Sequence, residues 1–303
     1  MFTGCGTALV TPFRQDESLD EATLRKLVRR QIEGGIDFLV PCGTTGESPT
    51  LTHKEHLRVV EITLEEAKAA KRRVPVLAGA GGYNTREVIE LARELEAMGA
   101  DGILSVTPYY NKPTQEGLYQ HYRAIASSIK LPIIVYSVQG RTGVNVEPAT
   151  LKRLAEIDNI AGVKEASGNI NQIGAVIHQV PERFVVLSGD DSMTVPLMAL
   201  GGDGIISVAS NEIPSVMTKL AALARSGDFA GARELHHRYL ELMDVNFVES
   251  NPVPVKTAMG LMGLLEPVYR LPMCPPKPES LKKIEKVLET TGLLQPEGAR
   301  LAS

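Results

Sequence analysis

Short apolar runs alternate along the chain with longer stretches in which apolar residues recur at helical spacing. The runs are "CGTALVTPF", "IDFLVPCGTTG", "VPVLAGAG", "DGILSVTPYY", "LPIIVYSV", "NIAGVKEAS", "FVVLSGDD" and "DGIISVAS". Rich in β-branched residues and spaced by roughly 20 to 40 residues, they read as strands. The stretches between them carry helix signals. "SLDEATLRKLVRRQIEGG" opens on Asp20 as N-cap and closes on Gly34 and Gly35. Thr52 with Glu55 predicts a capping box for "HLRVVEITLEEAKAA", and Asn84 with Glu87 another for "REVIELARELEAMGA". Regular alternation of strand and helix predicts an α/β fold with a parallel sheet. About eight units with no strand left over favour closure into a (β/α)8 TIM barrel over a doubly wound sheet.

After Ser210 no further strand run occurs. "NEIPSVMTKLAALARSGDFAGARELHHRYLELM", "VPVKTAMGLMGLL" and "PESLKKIEKVLETTGLL" are helical patterns punctuated by Pro and Gly. The expected organisation is a catalytic barrel over residues 1–225 and a C-terminal helical region over 226–303, packed as one unit because no Gly/Ser linker divides them.

Composition narrows the possible partners. The 303 residues have ordinary apolar and charged fractions, which excludes disordered and collagen-like chains. No apolar run approaches the roughly 18 residues that span a bilayer, and Met1 to Phe13 lacks the basic and apolar regions of a signal peptide. The expected location is cytoplasmic. Cys5, Cys42 and Cys274 are odd in number and far apart, which fits a reducing compartment and gives no metal-site spacing. A formal net charge of -4 without a long basic run offers no footprint for nucleic acid or an anionic membrane. Small molecules and copies of the same chain remain as partners.

In a barrel of this kind the chemistry lies at the C-terminal ends of the strands. Read in order, these ends carry Thr44 and Thr45, Gly79, Tyr109 and Tyr110, Tyr136, Lys164, Gly189 and Ser207. Lys164 is the only lysine inside a strand run. If Val163 packs outward against the helices, alternation points Lys164 into the barrel. Burial disfavours an ammonium, so such a lysine is suited to attack a carbonyl as a Schiff-base nucleophile. A lysine paired with a barrel carboxylate is the other reading, but no acidic residue falls within the apolar part of a neighbouring strand run. Tyr136 ends the preceding strand, where its phenol can shuttle protons beside Lys164 or serve as an interface tyrosine.

"CGTTGES" offers hydroxyls and glycine amides that can cradle a carboxylate, or simply a tight turn with capping hydroxyls. Arg141 in "QGRTG" presents a planar fork for a substrate carboxylate, unless it is merely solvated. Other features carry less. "GAGGYN" has Asn84 where a dinucleotide fingerprint needs its last glycine, and reads as a turn. His53 and His56 lack a third metal ligand and read as a solvated first turn, and His236 and His237 as surface residues. Asp190 and Asp191 read as caps of the next helix.

With these residues the chain resembles the dihydrodipicolinate synthase family, within the wider N-acetylneuraminate lyase group of class I aldolases. The likeness runs through "GTALVTPF", "GTTGES", "AGAG", "TPYYNKPTQEGLYQHY", "GRTG", "GVKEASGN", "LSGDD", "GIISV", "NPVPVKTAMGLMG" and "LPM". It implies a (β/α) barrel with a helical tail, assembled as a homotetramer of two tight dimers, working without metal or organic cofactor. It implies condensation of pyruvate with aspartate 4-semialdehyde in lysine (diaminopimelate) biosynthesis. Lys164 would form the Schiff base, and Tyr136 would relay protons with Thr45, or its neighbour Thr44, and with Tyr110 reaching in from the neighbouring subunit. Thr45, Gly189 and Ile206 would line the pyruvate pocket, and Arg141 would receive the carboxylate of the semialdehyde.

The likeness has departures. "YSVQGRTG" places Ser137 and Gln139 where the family usually has Asn and Pro, and loss of the proline's fixed φ would loosen the loop that aims Arg141. An aldolase or dehydratase acting on a 2-keto-3-deoxy sugar acid is the alternative activity; it would keep Lys164 and Tyr136 but has no use for Arg141. A catalytically silent barrel kept as a regulatory subunit would have lost the lysine or its hydroxyl partners, and all are present. Ser48, His53, His56, Glu87 and Tyr109 match parts of the interface pocket where feedback-inhibited members bind lysine. Tyr83 stands where such members commonly carry Asn, which predicts weak or absent lysine feedback.

Overall fold

A computed structural model describes residues 1–294; the stretch 295–303 of the expected helical region lies outside the described residues. The eight expected strands form, as β1 (Gly4–Ala8), β2 (Phe38–Val40), β3 (Leu77–Gly79), β4 (Gly102–Val106), β5 (Ile133–Ser137), β6 (Ile160–Glu165), β7 (Val185–Ser188) and β8 (Gly204–Ser207). They make one parallel sheet in the order β2-β1-β8-β7-β6-β5-β4-β3. A parallel bridge between Leu39 and Val76, with the Leu39 N–H donating to the Pro75 carbonyl at 2.9 Å, joins the two end strands and closes the ring.

Around it run helices α1 (Glu21–Glu33), α2 (His53–Ala69), α3 (Thr85–Met98), α4 (Gln115–Ala126), α5 (Gln139–Thr142), α6 (Pro148–Leu154), α7 (Ile170–Gln179), α8 (Thr194–Ala199) and α9 (Pro214–Arg225). Helices α10 (Phe229–Val245), α11 (Val253–Leu261) and α12 (Pro278–Thr290) follow. Asp20 caps α1 by accepting from the Thr23 N–H, and Thr52 with Glu55 forms the full reciprocal box at α2. The box expected at α3 is only half made. Asn84 accepts from the Arg86 N–H, while Glu87 takes the Asn84 side-chain amide at 2.7 Å, because a second donor on asparagine competes with the backbone for that carboxylate.

Two apolar layers result. Phe38, Leu104, Ile134, Leu187 and Ile206 fill the barrel interior, whereas Leu39, Ile103, Val135, Val163 and Ile205 face the helices. The β5–β6 pairing slips by one residue: Ile133 pairs with Ile160, but Ile134 pairs with Gly162. This bulge at Ala161 has a functional result. Counted strictly from outward-facing Ile160, alternation would turn Lys164 outward; one extra residue reverses the parity and turns it in. Helix α11 is buried on nearly every side from Val253 to Met259, as its mostly apolar sequence requires, and it takes Lys256 and Thr257 into the interior with it. Among the described residues no helix is long and apolar enough to cross a membrane, and no three His, Cys, Asp or Glu side chains gather as metal ligands.

Candidate active site

Three adjacent strands set the centre of the site, because Tyr136, Lys164 and Leu187 stand in register across β5, β6 and β7. Lys164 is 5% exposed and Tyr136 6% exposed, and the Lys164 Nζ lies 4.3 Å from the centre of the Tyr136 ring. The lysine stem passes Gly189, where an added Cβ would stand 3.2 Å from Lys164 Cε and 2.5 Å from Ala166 Cβ. Glycine leaves the lysine its path. Among the described residues no carboxylate forms an ion pair with Lys164.

The threonines stand on the loop that follows β2. Gly79, ending β3, lets the two backbones meet, since a Cβ there would fall 2.0 Å from the Cys42 carbonyl oxygen. Cys42 (φ 56°) and Glu47 (φ 55°) bracket the loop in the left-handed region. Thr11 Oγ1 donates to the Gly46 carbonyl at 2.6 Å, and Asn251 Nδ2 donates to Thr45 Oγ1 at 2.9 Å. Thr44, Gly79, Leu104 and Tyr136 line a narrow space of about 40 Å³. It continues, through shared walls at Cys42, Thr44 and Val106, into a cavity of about 320 Å³ bounded by Ser48, Tyr109, Val138 and Arg141. A single cleft therefore runs from the Tyr136 phenol to the Arg141 guanidinium.

Arg141 sits on α5 at the rim, exposed, its Nη2 donating to the Asn251 carbonyl at 3.3 Å. Its loop is wound without proline by the Thr142 N–H donating to Val138 O at 3.1 Å and the Gly143 N–H to Gln139 O at 2.9 Å. Ser137 Oγ accepts from the Val146 N–H at 3.1 Å, so the serine ties the far side of the same loop. A lysine amine against the Tyr136 ring, with two hydroxyls and a cation along one cleft, suits a carbonyl substrate that carries a carboxylate.

Residues 1–291 match the model of the Dihydrodipicolinate synthetase family. The chain belongs to this family. It is 54% identical over 293 residues to the 4-hydroxy-tetrahydrodipicolinate synthase of Koribacter versatilis, covering 96% of this chain and 97% of that one. The crystal structure of dihydrodipicolinate synthase from Thermotoga maritima matches at TM-score 0.94 and 46% identity, over 97% of this chain and 100% of that one. A Cyanidioschyzon merolae relative with lysine bound matches at TM-score 0.92 and 37% identity, over 97% of this chain and 99% of that one.

Within this family frame the remaining expected residues divide. Ile206 lies in the barrel interior and Gly189 beside Lys164. Tyr110, at φ 70° and 91% exposed, is not on this chain's own cleft. The Thr45 hydroxyl is taken up by Asn251, and Thr44 is the threonine on the cleft with Tyr136. Ser207 also faces elsewhere: its hydroxyl donates to Asp191 at 2.5 Å.

Neither aspartate caps a helix, contrary to expectation. Asp191 is buried and accepts from the Val208 and Ala209 N–H groups, each at 3.0 Å, so that β7 clamps the end of β8. Asp190 makes no capping hydrogen bond. Burial raises its carboxyl above the ordinary range, against the pull of the positive charges of Lys164 and Arg141. His56 is not solvated either. It is buried, with Nε2 donating to the Gly79 carbonyl at 2.9 Å, and only His53 is surface-bound, against Glu94 at 3.0 Å. His236 is half-buried and His237 exposed.

Sequence reasoning missed Asp190, Asn251 and the buried Lys256–Glu47 pair, whose Nζ and Oε1 lie 2.6 Å apart. For Lys256 a signal existed. A lysine in the otherwise apolar "VPVKTAMGLMGLL" raises the same question as Lys164 in its strand.

Proposed function

We propose that the chain condenses pyruvate with L-aspartate 4-semialdehyde to give 4-hydroxy-tetrahydrodipicolinate for lysine (diaminopimelate) biosynthesis. The observation that carries the reading is the Lys164 amine held over the Tyr136 ring at one end of a cleft whose other end is Arg141. Lys164 Nζ adds to the ketone carbon of pyruvate and water leaves, forming an iminium. The iminium draws electrons from the pyruvate methyl, which loses a proton to become an enamine carbon. That carbon attacks the aldehyde, and the amino group of the second substrate then displaces Lys164 as the ring closes. Each step moves a proton, and the Tyr136 phenol, which lines one narrow space with Thr44, is the group that would relay it.

Arg141 receives the semialdehyde carboxylate, and Thr45, Gly189 and Ile206 form the wall on the pyruvate side. Exposed Tyr110, next to half-buried Tyr109 packed edge-on to Tyr83 at 5.2 Å, suits contact with a second copy whose site it completes, in a homotetramer of two dimers. Three free thiols, two of them buried, suit the cytoplasm.

The test is a coupled assay of the wild type with both substrates, run beside 2-keto-3-deoxygluconate cleavage and borohydride trapping with pyruvate. Turnover of the semialdehyde is expected. Cleavage of the sugar acid without semialdehyde turnover would instead give the family chemistry a different second substrate.

Arg141→Leu should lower kcat/KM for the semialdehyde by about 10²-fold, the loss of a charge-assisted bidentate contact, while leaving borohydride trapping of pyruvate intact. Equal damage to trapping would make Arg141 a structural residue. Lysine feedback should be weak. His53, His56, Asn84 and Glu87 line a cavity of about 490 Å³ beside the cleft, but Tyr83 turns to stack on Tyr109 and supplies no side-chain amide to an amino acid there. Rates should hold in low millimolar L-lysine; half-inhibition at micromolar lysine would overturn this.

A further inference from the structure

The loop carrying Thr44 and Thr45 adopts a conformation that its own residues disfavour. Cys42 and Glu47, neither of them glycine, both lie in the left-handed region. Such backbone persists where surrounding structure imposes it. What surrounds this loop comes from far along the chain. Lys256, on buried helix α11, donates from Nζ to Glu47 Oε1 at 2.6 Å, and both side chains are fully buried. Asn251, just ahead of α11, donates to Thr45 Oγ1 at 2.9 Å. Glu47 in turn locks back on the active threonine, its N–H donating to the Thr44 carbonyl at 3.1 Å.

The ion pair is poorly explained by stability alone. Burial pushes the Glu47 carboxyl up and the Lys256 amine down, each against the attraction of the other, and Glu47 Oε2 has no hydrogen-bond partner among the described residues. Buried pairs of this kind can often be replaced by apolar side chains without loss. What an apolar pair would not supply is a fixed direction. Lys256 lies 4.4 Å from the centre of the Phe13 ring, so its ammonium is held by an aromatic wall as well as by the carboxylate. Arg270, 4.1 Å from the same ring, donates to the Thr50 carbonyl at 2.9 Å and pairs with Glu55 at 2.5 Å. The C-terminal region thus grips the loop and the start of α2 at four residues.

We propose that Lys256 and Glu47, with Asn251, are positioning residues that hold the Thr44–Thr45 loop so that the Thr44 hydroxyl faces the space it shares with Tyr136, and the helical C-terminal region thereby sets the geometry of proton relay in the barrel. The inference rests on the proposed roles of Tyr136 and the threonines. It assigns no substrate contact to Lys256 or Glu47.

The test compares full-length wild type with Lys256→Met, the double variant Glu47→Gln/Lys256→Met, and Asn251→Ala. Each is followed by thermal midpoint, kcat, KM for pyruvate and borohydride trapping. Lys256→Met leaves a carboxylate buried without its cation, so its thermal midpoint should fall. The double variant removes both charges and should recover most of that midpoint. Its kcat should remain at least tenfold below wild type, with KM for pyruvate little changed and the trapped adduct still formed on Lys164. Recovery of kcat to within twofold, alongside the midpoint, would reduce the pair to a structural one and overturn the proposal. If the double variant does not fold, Asn251→Ala decides: a tenfold loss of kcat at an unchanged midpoint supports positioning, and kcat within twofold of wild type overturns it. Wild type lacking either semialdehyde turnover or the borohydride adduct would overturn the proposed function itself, a separate result.

Discussion

Replacing Lys164 with methionine should abolish turnover, lowering kcat by about 10⁵-fold or more, the scale of losing the nucleophile in covalent catalysis. Methionine is the informative choice because it keeps an unbranched stem in the channel beside Gly189 and removes the amine alone. Alanine would add a cavity next to Tyr136 and mix a packing loss into the result. The thermal midpoint should therefore change little in Lys164→Met. Borohydride with pyruvate should add no mass to the variant while labelling the wild type. A pyruvate adduct surviving on the variant would assign the Schiff base to another lysine.

That prediction depends on which way Lys164 points, and here the sequence was legible only in part. Taking Val163 as outward-facing puts Lys164 inside, which the structure shows; counting from Ile160 puts it outside. The one-residue bulge at Ala161 separates the two answers. A bulge leaves little trace in a single sequence, because Ala161 and Gly162 are small residues that also suit an ordinary strand. Closure of the barrel is a different case. It was inferred from the number of strand and helix units, and the Leu39–Val76 bridge supplies it directly. Local rules read such repeats well because each unit is signalled by its own residues.

Contacts made across long stretches of chain were not legible. Asp191 holds the end of β8 through Ser207, Val208 and Ala209, and its place just before a helical turn made capping the natural expectation. Glu47 and Lys256 are 209 positions apart, and nothing in "GTTGES" announces a buried cation waiting for it. His56 shows the same limit at shorter range. Its position at a helix start suggested solvent, whereas the side chain turns inward to satisfy the carbonyl of Gly79, which has to be glycine for β3 to reach Cys42. The candidate site was legible where a residue's type conflicted with its local surroundings, as with Lys164. It was hidden where a residue's surroundings are supplied by tertiary contact.

Tyr136→Phe separates the proton relay from packing. The ring that lies 4.3 Å from Lys164 Nζ is retained, so the aromatic contact with the amine and the filling of the barrel mouth survive, and only the hydroxyl is lost. General acid–base groups contribute on the order of 10²- to 10⁴-fold, and kcat should fall within that range while the thermal midpoint stays near wild type. Borohydride should still trap pyruvate on Lys164, but more slowly, since loss of water from the adduct needs a proton that the phenol no longer delivers. Thr44→Val in the same assay probes the other wall of the 40 Å³ space and should lower kcat in the same direction, by less, because the phenol would remain with one relay partner removed. A Tyr136→Phe enzyme with kcat within fivefold of wild type would show that protons reach the iminium by another route. The carboxyl of Asp190, raised by burial and set among the charges of Lys164 and Arg141, would then be the group to test.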